Sequence, residues 1–365
     1  MKTNQNPVIA YFISAHGFGH AARASAVMEA VHRVAPAVRF EIFTTVPRWF
    51  FADFIRGPFA CHRLETDVGM IQKSPLEEDL PATCKALDAF YPLDGRKISA
   101  VAKQVKSLDC RAVICDIAPM GIAVARKAGL LSVLVENFTW DWIYAGYEKY
   151  LERLRPHIDD LEKMFAGADF HIQARPVCAP CSPDITVAPI SRIPRLSAGR
   201  IRERLEISDH LKLVVITLGG AAVSRSRIKF DRIPEDIFLV LPGISDKIQR
   251  SGQCLRLPAR SGVYHPDLIQ AADAVIGKTG YSTLAEIYHA DVPFGYVSRS
   301  AFREAPVLQT FVREKMRSLE VSESALEGGF WVTLIPDLMA IPPAGTGRVN
   351  GADQIAEFLF AAVLP

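Results

Sequence analysis

The stretch Asp273-Ala-Val-Ile-Gly-Lys-Thr-Gly-Tyr-Ser-Thr-Leu-Ala-Glu286 decides the fold. Ala274, Val275 and Ile276 form the short apolar run of a buried strand. Gly277-Lys278-Thr279-Gly280 then turns the chain, and Ser282 or Thr283 is placed to cap a helix running through Leu284, Ala285 and Ile287. A strand, a glycine turn and a helix start gather backbone N–H groups at one concave point. The partial positive charge of the helix end favours an anion there, most often a phosphate. Glu286 falls one turn into the helix, where a carboxylate can accept hydrogen bonds from ribose hydroxyls. The same residues also fit an ordinary strand–helix connection with a capping hydroxyl, so both readings stay open at this point.

The N-terminal half has the same logic. Val8–Ser14 reads as a buried parallel strand, Ala15-His-Gly-Phe-Gly-His20 as a glycine loop, Ala21–Val34 as an amphipathic helix and Arg39–Thr45 as a second strand. This βαβ order opens a doubly wound sheet. His16 and His20 flank the loop, with Gly17 and Gly19 inside it, and neutral imidazoles there can act as a base or bind a ligand; His20 can equally cap or pack against the helix. Arg111–Cys115 and Leu131–Val135 are further strands, which put Asp116, Asn137 and Asp141 at carboxyl ends, where open α/β sheets gather ligands. Turn and cap roles are the commoner fate of such residues. Arg48–Arg56, aromatic with basic ends, fits the core face of a short helix through Trp49, Phe50 and Phe54 better than a membrane-surface patch.

Residues 66–97 read as a loop and a helix, and Tyr144–Phe165 as one long helix. Pro189–Pro194 has the composition of a hinge. Beyond it Leu211–Leu218 is a strand ending in Gly219-Gly220, and a last helix starts near Gly351. The expected architecture is α/β: two Rossmann-like doubly wound domains facing across a deep cleft. Residues 1–190 form the first, residues 191–350 the second, and residues 351–365 a helix docked on a domain.

A chain of 365 residues that is 49% hydrophobic can bury two cores, and a formal net charge of +2 gives no basic face for nucleic acid. No apolar run reaches membrane-spanning length and the N-terminus has no signal pattern, so the expectation is a cytoplasmic protein. Seven scattered cysteines suit reduced thiols. Cys178-Ala-Pro-Cys181 has CxxC spacing but neither a second ligand pair nor a strand-to-helix setting, and reads as incidental thiols.

Ala15–Arg23, Gly219-Gly220 and Asp273–Glu286 stand in the order and spacing of GT-B glycosyltransferases. The chain resembles the group of the bacterial peptidoglycan N-acetylglucosaminyltransferase and plant monogalactosyldiacylglycerol synthase. Through Asn137–Tyr144 and Val297–Pro306 it is more narrowly similar to the glycosyltransferase-like N-terminal region of plant L-arabinokinase. The resemblance implies a nucleoside-diphosphate sugar, usually a UDP-sugar, on the C-terminal domain. Gly280, Ser282 and Thr283 would meet the diphosphate with help from Gly219 and Gly220, and Glu286 would hold the ribose. Lys278, Thr279, Arg299 and Glu304 would complete the donor site. It also implies inverting transfer without a metal or other cofactor, because helix dipoles and N–H groups stabilise the leaving diphosphate. His20 would be the general base, with Asp116 or Asp141 as substitutes, and His16, Gly17, Gly19 and Asn137 would line the acceptor side.

The chain departs from the family pattern in three places. Gly219-Gly-Ala-Ala222 is less polar than the usual second loop, Glu304 is followed by Ala305 rather than Gln, and the first loop opens with Ser14-Ala-His. The acceptor is therefore open: a small molecule, a glycan or a lipid, with peripheral membrane contact the lesser reading. Two other functions suit the same fold, a catalytically silent nucleotide-sugar-binding regulator and a UDP-sugar epimerase.

Overall fold

The computed structural model describes residues 7–74, 77–217, 233–297, 302–345 and 347–364, and of Ser74 only the backbone. The chain divides into two compact units. The first comprises residues 7–73, 78–190 and 349–364; the second comprises the described residues of 191–348 together with 74 and 77.

The strands up to Val187 are β1 (Val8–Ile13), β2 (Arg39–Thr44), β3 (Phe59–Arg63), the short β4 (Gln72–Ser74) and β5 (Glu77–Glu78) that pair only with each other, β6 (Cys110–Asp116), β7 (Leu131–Glu136), β8 (Phe170–Ala174) and β9 (Ile185–Val187); all but β4 and β5 lie wholly in the first unit. Its sheet has the order β3-β2-β1-β6-β7-β8-β9, parallel throughout. Continuous apolar runs make this possible: Ile9–Ile13 and Ala112–Cys115 are buried on both faces, as a sheet covered by helices on both sides requires. The order reverses between β1 and β6, and that switch point is where doubly wound sheets place their ligands.

The second unit repeats the design with β10 (Lys212–Thr217), β11 (Ile237–Ser245), β12 (Gln249–Ser251), β13 (Cys254–Pro258), β14 (Ala274–Lys278), β15 (Phe294–Val297) and β16 (Ser318–Val321). The order is β12-β13-β11-β10-β14-β15-β16, with β12 the one antiparallel edge. Its switch point falls between β10 and β14. One side of the sheet packs Val214, Ile216, Leu239 and Ile276 against Trp331, Ile335 and Leu338. Both halves are thus doubly wound α/β, the GT-B type of unit.

Several elements differ from the sequence reading. Gly277 and Lys278 belong to β14, not to a turn: Gly277 pairs with both Thr217 and Tyr296, and a Cβ there would sit 2.2 Å from the Thr217 carbonyl oxygen. The turn is only Thr279 and Gly280. Neither Ser282 nor Thr283 caps the next helix, Tyr281–Ala290, whose N-cap is Gly280 with no side-chain bond. The long helix expected over Tyr144–Phe165 is broken at Gly146 into Trp140–Tyr144, a 3-10 turn at Glu148–Tyr150 and Leu151–Phe165, since glycine is costly in a helix interior. Residues 66–107 hold two helices, Leu80–Phe90 and Gly95–Ser107, capped by the carboxylates of Asp79 and Asp94. In the helix Arg48–Phe54 the buried residues are Phe50 and Phe51, while Trp49 and Phe54 stay partly exposed.

Candidate active site

At the first switch point β1 delivers the loop Ser14–Phe18 and the helix Gly19–Val34. Three residues apart on that helix, His20 and Arg23 share a face, and both reach Asp116 at the end of β6. The His20 Nδ1 lies 2.8 Å from Asp116 Oδ1. Arg23 donates through Nε to Asp116 Oδ2 at 2.8 Å and through Nη2 to Oδ1 at 2.6 Å, and its Nη1 donates to Asn137 Oδ1 at 2.6 Å. All four side chains are buried, Asp116 at 0% exposure and His20 at 8%.

The charges in this cluster are decided by burial and by Arg23. Burial alone would raise the Asp116 carboxyl, but the Arg23 guanidinium and the bonds from Arg23 and His20 hold it below its ordinary range. Asp116 is therefore a carboxylate whose charge is largely matched by Arg23. Burial then lowers His20 below the ordinary imidazole value despite the Asp116 contact. A neutral His20 that donates Nδ1–H to Asp116 leaves Nε2 as an acceptor, and Nε2 has no partner among the described residues. Both oxygens of Asp116 are engaged, Oδ1 with His20 and Arg23 and Oδ2 with Arg23.

Asp141 lies outside this network, in the first turn of Trp140–Tyr144, where burial raises its carboxyl. His16 is half-buried; its Nδ1 accepts from the Met70 N–H at 3.3 Å and its ring meets Trp140 edge-on at 5.2 Å. Gly17 and Gly19 are exposed. Asn137 is joined to the cluster through Arg23.

Two members were missed by the sequence reading. Arg23 was detectable, because it stands three residues after His20 in the loop–helix motif. Asp67 was not: it lies in a segment without periodicity, accepts from Trp140 Nε1 at 2.8 Å, and burial pushes its carboxyl up to about 6 against the pull of Ser14 and Trp140.

At the second switch point β14 ends in Lys278, and Thr279 and Gly280 lead into Tyr281–Ala290. The first intrahelical bond runs from the Leu284 N–H to the Gly280 carbonyl at 2.9 Å, so the N–H groups of Tyr281, Ser282 and Thr283 form the mouth of the helix. Around Gly280 a Cβ would meet nothing within 4 Å. The hydroxyl of Thr279, a residue only 6% exposed, has no hydrogen-bond partner among the described residues. An unsatisfied buried hydroxyl beside a helix mouth is a costly feature in an empty site and a useful one for an anion.

Glu286 is 4% exposed. Its Oε1 accepts from Arg192 Nε at 2.8 Å and Nη2 at 2.6 Å, and its Oε2 lies 2.6 Å from His265 Nδ1. Burial would raise this carboxyl; Arg192 and His265 overcome it and hold it low. The Arg192 and Arg195 guanidinium groups lie 5.5 and 4.5 Å from the centre of the Tyr264 ring. The sequence reading assigned none of Arg192, Arg195, Tyr264 and His265 to the site; Arg192 falls in the stretch read as a hinge and Arg195 just beyond it.

Glu304 stands at the N-cap of Ala305–Lys315 and is 8% exposed, and Lys278 is partly buried. Gly219, Gly220 and Arg299 lie outside the described residues. Among the described residues no group of three or more His, Cys, Asp or Glu is placed to hold a metal ion. No described helix is long and apolar enough to cross a membrane.

No protein-family model matches the chain. A curated relative, L-arabinokinase of Arabidopsis thaliana, is 26% identical over 363 residues; the match covers 98% of this chain but 34% of the relative, so the chain spans about a third of its length. Among solved structures, MurG of Acinetobacter baumannii superposes with a TM-score of 0.56 at 14% identity, covering 97% of this chain and 99% of that one. A UDP-glucosyltransferase from Polygonum tinctorium does so with a TM-score of 0.59 at 12% identity, covering 98% of each chain. The chain therefore has the GT-B glycosyltransferase fold over nearly its whole length, and it is similar in sequence to L-arabinokinase.

Proposed function

We propose that the chain transfers a sugar from a nucleoside-diphosphate sugar, a UDP-sugar by preference, to an acceptor hydroxyl, with inversion and without a metal. The observation that carries this reading is the His20–Asp116–Arg23 cluster at the first switch point, a neutral imidazole held by a matched carboxylate with Nε2 left as an acceptor. In the proposed step Nε2 takes the proton of the acceptor hydroxyl as its oxygen attacks the anomeric carbon. Asp116 then stabilises the imidazolium. The bond from the anomeric carbon to the diphosphate breaks as the new bond forms, and the leaving oxygen keeps the electron pair; on the second unit, taken by itself, the start of the helix Tyr281–Ala290 and the Thr279 hydroxyl are the features suited to a diphosphate. Acceptor binding thus falls to the first unit and donor binding to the second. The Polygonum tinctorium structure, a UDP-glucosyltransferase, supports UDP as the first nucleotide to try.

The two carboxylate oxygens of Glu286 are already bound by Arg192 and His265. We assign Glu286 to fixing the Arg192 and His265 side chains, with ribose contact as an added role. The similarity to a protein named as a kinase, over 34% of its length, favours a second reading in which the unit binds a nucleotide sugar without transfer.

The test is a thermal shift with UDP, on the parent and on Thr279→Val, followed by UDP release from a panel of UDP-sugars with hydroxyl acceptors. Millimolar UDP should raise Tm by linkage. Thr279→Val should leave the free protein as stable or more so, because it removes an unsatisfied buried hydroxyl, yet shrink the UDP shift. No shift with UDP or any other nucleoside diphosphate rejects the proposal. A shift without acceptor-dependent UDP release selects the silent binder.

A further inference from the structure

The CxxC stretch that the fold reading leaves unused sits in a built environment. Glu136 ends β7, and His171 and Gln173 lie on β8, which pairs with β7 in parallel with Glu136 opposite Gln173. The loop carrying Cys178 and Cys181 returns over these strand ends and is held in three places. The Cys178 N–H donates to the Asn137 carbonyl at 2.8 Å, Gln173 Nε2 donates to the Ala179 carbonyl at 2.9 Å, and the Cys181 N–H donates to Gln173 Oε1 at 3.2 Å.

This clamp brings the Cys181 Sγ to 3.7 Å from His171 Nδ1, while His171 Nε2 lies 2.8 Å from Glu136 Oε1. A buried carboxylate at Nε2 selects the tautomer with its proton on that nitrogen, which turns the Nδ1 lone pair toward the thiol. Glu136 is 2% exposed, and Oε1 also accepts from Gln173 Nε2 at 2.8 Å, yet Oε2 has no partner among the described residues. Cys181 is exposed, whereas Cys178 is buried and its Sγ faces Asn137 Nδ2 at 3.9 Å.

We propose that Cys181 is a nucleophilic thiol that exchanges with small disulfides, with His171 as its base and Glu136 orienting the base. Burial and the Glu136 charge push the free thiol up, so Cys181 rests protonated and is activated by proton transfer to His171 rather than as a standing thiolate. In the step, His171 Nδ1 takes the Sγ proton and the sulfur attacks one sulfur of the incoming disulfide. The old S–S bond breaks, and the departing thiolate takes the proton back from His171. One protein thiol and one disulfide become one mixed disulfide and one free thiol, with no other oxidant needed. Because Cys178 faces Asn137, the product that persists is the mixed disulfide at Cys181. This assignment stands apart from sugar transfer and does not require it.

The test uses the full chain with glutathione disulfide and with an aromatic disulfide reagent, followed by intact and peptide mass spectrometry under stopped-flow timing. One fast-reacting thiol should appear and map to Cys181, and Cys181→Ser should remove it. His171→Gln, at a partly exposed position, should slow that phase about tenfold or more, in line with loss of a general base, and Glu136→Gln should slow it to a lesser degree. His171→Ala guards against a folding defect, since its far-UV spectrum and melting can be checked separately. A Cys181 rate equal to that of a free cysteine peptide, or unchanged within twofold in both His171 variants, overturns the proposal, as does fast labelling that maps to another cysteine.

Discussion

At the scale of single residues, the proposed transfer turns on the protonation of His20. Its pKa is lowered chiefly by burial, below the ordinary 6.5, and Asp116 only partly opposes this. A base works when neutral, so the fraction of competent enzyme falls as pH drops through the folded pKa, which lies under 6.5. The rise of kcat/KM with pH should therefore be half complete at a pH below 6.5. The pH–rate profile with a working donor and acceptor measures it, and a midpoint above 6.5 would remove His20 from the base role. His20→Ala should lower kcat by about 10² to 10⁴-fold, while the UDP-induced thermal shift on the other unit stays as in the parent. Part of this site was readable beforehand: His20, Asp116 and Asn137 stood at a helix start and at strand ends. What no pattern could supply was the direction of each bond. Asp116 and His20 were both eligible as bases, and no pattern in the sequence announced the double contact that Arg23, 93 residues away in the chain, makes with Asp116.

At the scale of elements, the helix Tyr281–Ala290 carries two features of opposite cost. Its start lies beside the buried Thr279 hydroxyl, which has no partner among the described residues and costs free energy. One turn in, Glu286 holds Arg192, which lies over the Tyr264 ring, and His265. Removing one partner of a buried pair leaves the other charge uncompensated, so Glu286→Gln should destabilise the second unit by about 3 to 5 kcal/mol, measured by urea unfolding. The pH dependence has a definite sign. Glu286 has a folded pKa below its unfolded value, so its contribution is present above the ordinary 4.5 and is lost as pH falls through the lower folded value. Between those two values the parent should lose stability with falling pH faster than Glu286→Gln does. Equal slopes would mean that the pair contributes nothing in solution.

The element assignments show where periodicity suffices. Strand runs such as Ala112–Cys115 and Ala274–Ile276 could be read because a sheet covered on both faces needs unbroken apolar runs. The helix Gly95–Ser107 was missed because only Val101, Ala102 and Val105 are buried, a narrow stripe in a basic sequence. The Gly277 turn was misread because the signal for glycine is the same whether the chain bends or a neighbouring strand comes close, and here the neighbour is Thr217.

At the scale of the whole molecule, the C-terminal segment crosses the domain order of the chain. After the second unit is complete, the helix Gly351–Phe358 returns to the first, packing on Gly19–Val34 and β9. The Gly351 N–H donates to the Pro189 carbonyl at 3.2 Å, Gln354 Oε1 accepts from the Ala188 N–H at 2.8 Å, and Phe358 meets Phe170 edge-on at 5.7 Å. Glycine is required at the contact, because a Cβ on residue 351 would lie 2.0 Å from the Ala188 carbonyl oxygen. Gly351→Ala must therefore push the helix off its seat, an overpacking cost of about 1 to 3 kcal/mol borne by the first unit. Nucleotide binding belongs to the second unit in the proposed function, so the two perturbations separate. Calorimetry should show Gly351→Ala lowering one transition while UDP raises the other, the two effects adding without coupling. If UDP restores the Gly351→Ala loss in full, or if both act on one indivisible transition, the units do not carry their stability separately. The assignment of the nucleotide to the second unit would then need direct measurement of binding to each.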